Sequence, residues 1–132
     1  MPKLVMKFGG TSVSDIDRIA SAASKVLAEV EKGFDIIVIV SAMAGETNRL
    51  VSLVNNVSSL YDAREYDAIV SSGENATAGL MALTLQNMGV SARSWQGWQV
   101  PLITNSTHGS ARIMEIPTQK LNEKFLDGMR VA

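Results

Sequence analysis

The run DIIVIV at residues 35–40 limits the possible folds more than any other stretch of this sequence. Five β-branched residues, Ile36–Val40, follow one another without an intervening polar residue. A strand with one face in water usually alternates apolar and polar residues, whereas a strand covered on both faces is apolar throughout. The run therefore predicts a strand buried on both faces of a parallel sheet.

A strand and a helix are predicted to precede this run. Leu4–Phe8 is typical of a short strand, and Gly9 and Gly10 end it. Residues 15–32 carry apolar side chains at helical spacing, and we expect Ser14 to be the N-cap. Strand, helix and strand form a βαβ unit, whose crossover is almost always right-handed.

The remaining segments continue this pattern of strands and helices. Together they predict an α/β fold with three layers, α/β/α, around a mostly parallel sheet. The sheet is expected to be incomplete, with more chain needed to finish it. The predicted segments are helices at 47–60, 62–72 and 74–88, a strand at VSARSW, a hairpin of VPLIT and ARIMEI, a helix from Pro117 to Asp127, and the start of a strand at RVA.

Composition excludes several classes of function. The 132 residues suit one domain, and the net charge of −1 gives no basic excess for binding nucleic acid or an anionic membrane. There is no cysteine and only one histidine, which excludes disulfides, thiolate metal sites and multi-histidine metal sites. His108 lies in the predicted hairpin turn and is expected to be exposed. The amino-terminal apolar run is too short for a signal peptide or a membrane span, so we expect a cytoplasmic protein.

The stretch KFGGTS has the composition of an anion-binding turn. Glycines at a strand end let the backbone approach a ligand closely, and backbone N–H groups before a helix attract negative charge. Lys7 would add a compact positive charge at the same place. The spacing matches neither a Walker A loop nor a GxGxxG fingerprint. The alternative is an ordinary turn with Lys7 extending into solvent.

Three further polar residues lie where ligands bind in α/β proteins. Ser41 follows the second strand, at the carboxyl edge where open sheets bind ligands. Thr47 lies near the start of the next helix, where its hydroxyl either caps the helix or contacts a ligand. Glu74 follows Ser-Ser-Gly and is expected to open a helix, where the helix dipole alone would stabilise it. Its functional alternative is to bind an ammonium group.

Four blocks of sequence together resemble a known family. In their order and spacing, KFGGTSV, VIVSAMAGETNRL, SSGENATAGLMALTLQNMG and THGSARI resemble the amino-terminal part of the aspartate kinases, within the amino-acid kinase family. The resemblance implies transfer of the ATP γ-phosphoryl group to the side-chain carboxylate of L-aspartate, with Mg²⁺. The product would be 4-phospho-L-aspartate, on the route to lysine, threonine and methionine. It also implies a homo-oligomer.

The resemblance also implies roles for individual residues. Lys7 matches the lysine that touches the transferring phosphate. Thr47 and Glu74 match positions that bind aspartate, with Glu74 facing its ammonium group. No residue of this chain matches a metal ligand. The positions that match the phosphate and nucleotide side are Lys7, Phe8, Gly9, Gly10, Thr11, Ser12 and Ser41.

The chain also departs from the family pattern. Residues 1–132 correspond to the part that binds the amino acid, and the ATP-binding half and the ACT regulatory domains have no counterpart here. We therefore expect this chain alone to be inactive. Two interpretations remain open: the amino-terminal portion of a catalytic aspartate kinase, or a non-catalytic fragment that binds an anion or a partner. A kinase for glutamate or N-acetylglutamate is disfavoured by SGE and THGSARI.

Overall fold

The computed structural model describes every residue from Met1 to Ala132. It confirms an α/β fold, and none of its helices combines the length and apolar character that crossing a membrane requires. The elements are β1 (Lys3–Lys7), a 3₁₀ turn (Gly10–Val13), α1 (Ile16–Glu31), β2 (Asp35–Ile39), α2 (Glu46–Val57), α3 (Ala63–Asn87), β3 (Ile103–Thr104), β4 (Ile113–Glu115) and α4 (Gln119–Leu126).

The sheet is parallel, as the sequence predicts. β1 and β2 pair in parallel from Lys3 opposite Asp35 to Lys7 opposite Ile39. Val131 forms parallel bridges to Ile36 on one side and to Ala92 on the other. The order across the sheet is therefore β1, β2, residues 130–132 and residues 91–93. The predicted strand start at RVA is confirmed, whereas VSARSW contributes a single bridge rather than a full strand.

Helices cover both faces of this sheet and make three layers. On one face, Ile36 packs into a core with residues of α1 and α3, including Ile19, Val26 and Leu85, which are almost completely buried. On the other face, Ile37 packs against a smaller apolar cluster of α4 and the residues that follow it. Consecutive residues of β2 therefore point to opposite layers, which explains why the run has no polar alternation.

Burial of β2 on both faces extends over only part of the strand. Helix α4 has eight residues and covers the amino-terminal half of its face, where the ammonium of Lys3 lies 5.2 Å from the ring centroid of Phe125. Beyond the reach of α4, Val5 is 61% exposed and Ile39 is 46% exposed. The expectation of complete burial is wrong for this half, which presents an apolar surface to solvent.

The structure corrects two helix starts. Asp15 rather than Ser14 caps α1, because Asp15 has an extended backbone and its Oδ1 accepts a hydrogen bond from the Arg18 N–H at 2.8 Å. Ser14, one residue before the cap, has a helical backbone at the end of the 3₁₀ turn, whereas an N-cap residue has a non-helical one. Helix α4 begins at Gln119, two residues later than the predicted start at Pro117.

The largest correction concerns α3, a single helix of 25 residues where two were expected. The Ser72-Gly73 dipeptide does not interrupt it. Gly73 is buried, and a Cβ at this position would lie 3.2 Å from the Ala42 Cβ and 3.4 Å from the Leu50 Cδ1. Because glycine has no Cβ, α3 can approach these neighbours closely, which is a different role for the residue from ending a helix.

A partly buried ion pair fastens residues 130–132 of the sheet to β2 and to the turn after α1. The carboxylate of Asp35, which is 6% exposed, accepts a hydrogen bond from Arg130 Nε at 3.0 Å. The guanidinium also donates to the Phe34 carbonyl at 2.8 Å. Arg130 thereby satisfies backbone oxygen in the turn after α1 and holds residues 130–132 against β2.

Candidate functional site

The candidate site lies at the carboxyl edge of the sheet, where β1 and β2 end. The Phe8 N–H donates to the Ile39 carbonyl at 2.8 Å, which is the last hydrogen bond between the two strands. The chain then turns through Gly9 into the 3₁₀ turn, whose Val13 is fully buried. Burial of Val13 anchors the glycine loop to the core, while Lys7, at the strand end, remains exposed.

Ala42 is the point at which three segments of the site meet. A Cβ on Gly10 would lie 3.3 Å from the Ala42 carbonyl oxygen, so the glycine loop passes directly against the segment that follows β2. A Cβ on Gly73 would lie 3.2 Å from the Ala42 Cβ, so α3 approaches the same residue from another side. The structure thus brings together the loop after Lys7, the segment that contains Ser41, and the middle of α3.

The structure decides against the capping interpretation of Thr47. The N-cap of α2 is Gly45, with φ of 78°, a left-handed conformation that glycine adopts without strain. No side chain caps this helix, and Thr47 is an exposed residue of its first turn. Its hydroxyl therefore has no structural role in starting the helix.

Glu74 lies in the middle of α3 rather than at a helix start, so that expectation is wrong. Stabilisation by a helix amino terminus therefore does not explain a carboxylate at this position. Its side chain is partly buried next to Gly73 and forms no ion pair; nor does the ammonium of Lys7. The site therefore holds an unpaired cation at the glycine loop and an unpaired carboxylate on α3.

An ion pair beside Gly73, between Glu46 and Arg49, was not anticipated from the sequence. Arg49 grips Glu46 with two hydrogen bonds, Nε to Oε2 at 3.0 Å and NH2 to Oε1 at 2.7 Å. The hydrogen bond from Arg49 lowers the pKa of Glu46, and the same contact raises the pKa of Arg49. A Cβ on Gly73 would lie 3.4 Å from the Glu46 Cγ, so this pair borders the site. The spacing Glu-x-x-Arg on a helix is the signal that would have indicated it.

The described residues do not form a metal centre. No group of three or more histidine, cysteine, aspartate or glutamate side chains is close enough to hold an ion. The side chains of this chain therefore form no cage that would hold a metal ion by itself. Chemically, the glycine amides and Lys7 can hold an anion, and Glu74 can hold a cation such as an ammonium group.

Comparison with known proteins identifies the family. The sequence profile described as "Amino acid kinase family" matches residues 2–131. The chain therefore belongs to the amino acid kinase family, which agrees with the three-layer fold and with the glycine loop at the carboxyl edge of the sheet.

Its relatives are aspartokinases in particular. The chain is 48% identical to the aspartokinase of Rickettsia felis over 129 residues, which are 96% of this chain and 32% of that protein. It is 44% identical to the aspartate kinase of Pseudomonas putida over 97% of this chain and 31% of that protein. The chain thus spans about a third of the length of these curated relatives.

Solved structures of aspartate kinases share the fold. The crystal structure of aspartate kinase from Synechocystis superposes with a TM-score of 0.78 at 31% identity, over 99% of this chain and 21% of that one. Escherichia coli aspartokinase III, solved in complex with aspartate and ADP in the R-state, gives a TM-score of 0.82 over 99% of this chain and 40% of that one. At 22% identity, the second likeness concerns the fold alone.

Proposed function

We propose that this chain is the part of an aspartate kinase that binds the amino acid and the phosphate being transferred. The complete enzyme would transfer the γ-phosphoryl group of ATP to the side-chain carboxylate of L-aspartate and form 4-phospho-L-aspartate. The observation that carries the proposal is the meeting of the glycine loop, the Ser41 segment and α3 at Ala42. The similarity to aspartokinases over nearly the whole chain supports the choice of substrate.

On the phosphate side, Lys7 is the proposed catalytic residue. Phosphoryl transfer depends on positioning and on stabilising charge, and little of it requires covalent chemistry from the protein. The ammonium of Lys7 would lie beside the transferring phosphate, and the backbone from Phe8 to Ser12 would offer N–H donors around it. We assign the Ser41 hydroxyl to the nucleotide side of the same edge.

On the amino-acid side, Glu74 and Thr47 are the proposed substrate contacts. Glu74 would accept hydrogen bonds from the substrate ammonium, which distinguishes an amino acid from a simple dicarboxylate. The hydroxyl of Thr47 would contact the same ligand from the first turn of α2. The side chain of free aspartate has a pKa of about 3.9, so it is ionised at neutral pH and needs no general base before it attacks.

Paired lysines in β1 provide a direct test of the phosphate side. Lys3 and Lys7 are exposed lysines on the same face of one strand, at its two ends. We expect Lys7→Ala to weaken ATP binding to the 132-residue chain, whereas Lys3→Ala leaves it unchanged. In a complete kinase that carries this amino-terminal sequence, Lys7→Ala should lower kcat more than it changes KM. Equal effects of the two substitutions would contradict the role of Lys7.

Paired carboxylates in α3 test the amino-acid side in the same way. Glu74→Gln should weaken binding of L-aspartate, measured by titration of the ¹⁵N-labelled chain. Glu65→Gln, on the exposed first turn of the same helix, should not. Unchanged aspartate affinity in Glu74→Gln would refute the assignment.

Turnover by the chain alone is expected to be absent. The described residues contain no cluster of three or more metal-ligating side chains, and Lys7 and the glycine loop account for only the phosphate end of ATP. An assay of the purified chain with ATP, Mg²⁺ and aspartate, with hydroxylamine to trap the acyl phosphate, should give no hydroxamate above background. Hydroxamate formed in proportion to the chain would refute this expectation.

A further inference from the structure

The ion pair between Glu46 and Arg49 lies at the start of α2, next to the residues proposed to bind the amino acid. Arg49 donates two hydrogen bonds to the Glu46 carboxylate, at 3.0 Å and 2.7 Å. The residue after Glu46 is Thr47, a proposed substrate contact. The Glu46 Cγ would lie 3.4 Å from a Cβ on Gly73, the residue before Glu74. The pair therefore borders the amino-acid side of the site from both α2 and α3.

A second ion pair with the same spacing lies far from the site. In α1, Lys32 Nζ lies 2.7 Å from Glu29 Oε1, and the Lys32 side chain is 62% exposed, close to the 59% of Arg49. This pair is at the carboxyl end of α1, where the chain leads into the amino end of β2. Exposed pairs of this kind contribute little to stability. The α1 pair is therefore a natural control for any effect that depends on the site.

The helical repeat places Arg49 and Thr47 on opposite flanks of Glu46. At about 100° per residue, Thr47 lies about 100° around α2 from Glu46 in one direction, and Arg49 lies about 60° in the other. The two hydrogen bonds from Arg49 draw the Glu46 carboxylate to its own flank. The carboxylate is thereby held away from the flank of α2 that carries Thr47.

The charge of Glu46 matters because the proposed ligand is itself an anion. L-Aspartate carries one ammonium group and two carboxylates at neutral pH. Glu74 alone can pair with the ammonium group, and a second free carboxylate beside it would repel the net negative charge of the ligand. Arg49 neutralises Glu46 and so removes this repulsion.

We propose that Arg49 is a positioning residue for the amino-acid side of the site. It neutralises Glu46 and restrains its carboxylate, so that Glu74 is the one carboxylate available to the ligand. The site can then accept the second carboxylate of an acidic amino acid, although Arg49 does not touch that ligand. This inference rests on the proposed function for its ligand, whereas the restraint on Glu46 is a property of the chain without ligand.

Side-chain relaxation in the ligand-free chain tests the restraint. In a ¹³C-labelled chain, Arg49→Gln should lower the order parameter of the Glu46 γ-methylene group, because the freed side chain samples several rotamers. Lys32→Gln should leave the motion of Glu46 unchanged. A Glu46 side chain that remains as ordered in Arg49→Gln as in the wild type would overturn the restraint.

Binding of L-aspartate tests the effect of charge. We expect Arg49→Gln to raise the dissociation constant about threefold, as for one interaction between exposed charges. Adding Glu46→Gln to this variant should restore the wild-type affinity, because no free carboxylate remains. Lys32→Gln should bind as the wild type does. At about 1 M salt, where the Debye length is about 3 Å, the loss in Arg49→Gln should disappear.

The double substitution separates this role from other roles of Arg49. A lost affinity that Glu46→Gln does not restore would mean that Arg49 acts on the ligand or on the fold, and would overturn the proposal. Unchanged or tighter aspartate binding in Arg49→Gln would overturn it as well. A wild-type chain that binds no aspartate would overturn the proposed function and the positioning role with it, while the relaxation result would still decide the restraint on Glu46.

Discussion

Replacement of Gly73 by alanine would test the contact on which the geometry of the site depends. The added Cβ would lie 3.2 Å from the Ala42 Cβ and 3.4 Å from both the Glu46 Cγ and the Leu50 Cδ1. Ala42 and Leu50 are each only 6% exposed, so neither can move aside without disturbing the packing around it. Overpacking of this kind costs about 1–3 kcal/mol.

Helix propensity acts in the opposite direction. Alanine is favoured over glycine in a helix interior by about 0.5–1 kcal/mol. The net effect of Gly73→Ala should therefore fall between neutral and a loss of about 2 kcal/mol in the free energy of unfolding.

Gly79 in the same helix is the matched control. A Cβ there would meet nothing within 4 Å, so Gly79→Ala should gain the helix-propensity term without opposition. The two variants should differ by about 1–3 kcal/mol, which urea unfolding followed by circular dichroism resolves. Gly73→Ala should also weaken aspartate binding, because the added methyl group pushes the Ala42 segment away from α3, whereas Gly79→Ala should not.

The reasoning would be refuted if both substitutions stabilised the chain equally. Such a result would mean that Gly73 has room for a methyl group and that α3 does not approach Ala42 as closely as described. The meeting of the three segments would then lose its main support.

Three further predictions follow from other contacts. Arg130→Met leaves Asp35 without its partner and should lower the free energy of unfolding, measured with urea, by about 2–3 kcal/mol. This is less than the about 3–5 kcal/mol of a fully buried pair, because the Arg130 side chain is 27% exposed. A loss under about 0.5 kcal/mol would contradict this prediction. The pKa of Glu46 lies below its ordinary value of 4.5, so the stabilising effect of its pair with Arg49 is present above pH 4.5 and is lost as the pH falls through the lowered pKa. In Arg49→Gln, an NMR titration should show Glu46 ionising close to 4.5, and an unchanged midpoint would exclude Arg49 as the cause. The apolar surface around Ile39 should make the isolated chain self-associate, and Ile39→Lys should shift its sedimentation towards the monomer; equal association in both chains would place the contact elsewhere.

The sequence predicted those elements whose signals are local. The βαβ unit was recognisable because a helical repeat of apolar residues separates two apolar runs, and each pattern arises within a few residues. The hairpin was recognisable because its two short runs, VPLIT and ARIMEI, are also separated by only a few residues. The positions of Lys7 and Ser41 at one edge of the sheet follow from the rule that parallel strands end together.

Gly73 shows where local reasoning fails. A glycine after Ser-Ser is consistent with a helix break and also with close helix packing, and the two cannot be distinguished without knowing what lies opposite. What lies opposite is Ala42, in the segment between β2 and α2. The error carried over to Glu74, whose expected helix start does not exist.

The contact between Asp67 and Gly109 is a second case. The two residues are 42 positions apart, and neither belongs to a pattern that indicates the other. Both β3 and β4 are exposed, so no apolar periodicity in the hairpin reveals which helix it will meet.

The amino-acid order alone thus determined which segments become strands and helices and which of their ends carry ligand-binding residue types, because these properties depend on neighbours along the chain. Only the tertiary structure decided that α3 runs unbroken with Gly73 against Ala42, that Glu74 lies within this helix and forms no ion pair, and that a hairpin reaches Asp67. These features depend on distances between residues far apart in the chain, and such distances are set by packing of the whole domain rather than by any local preference.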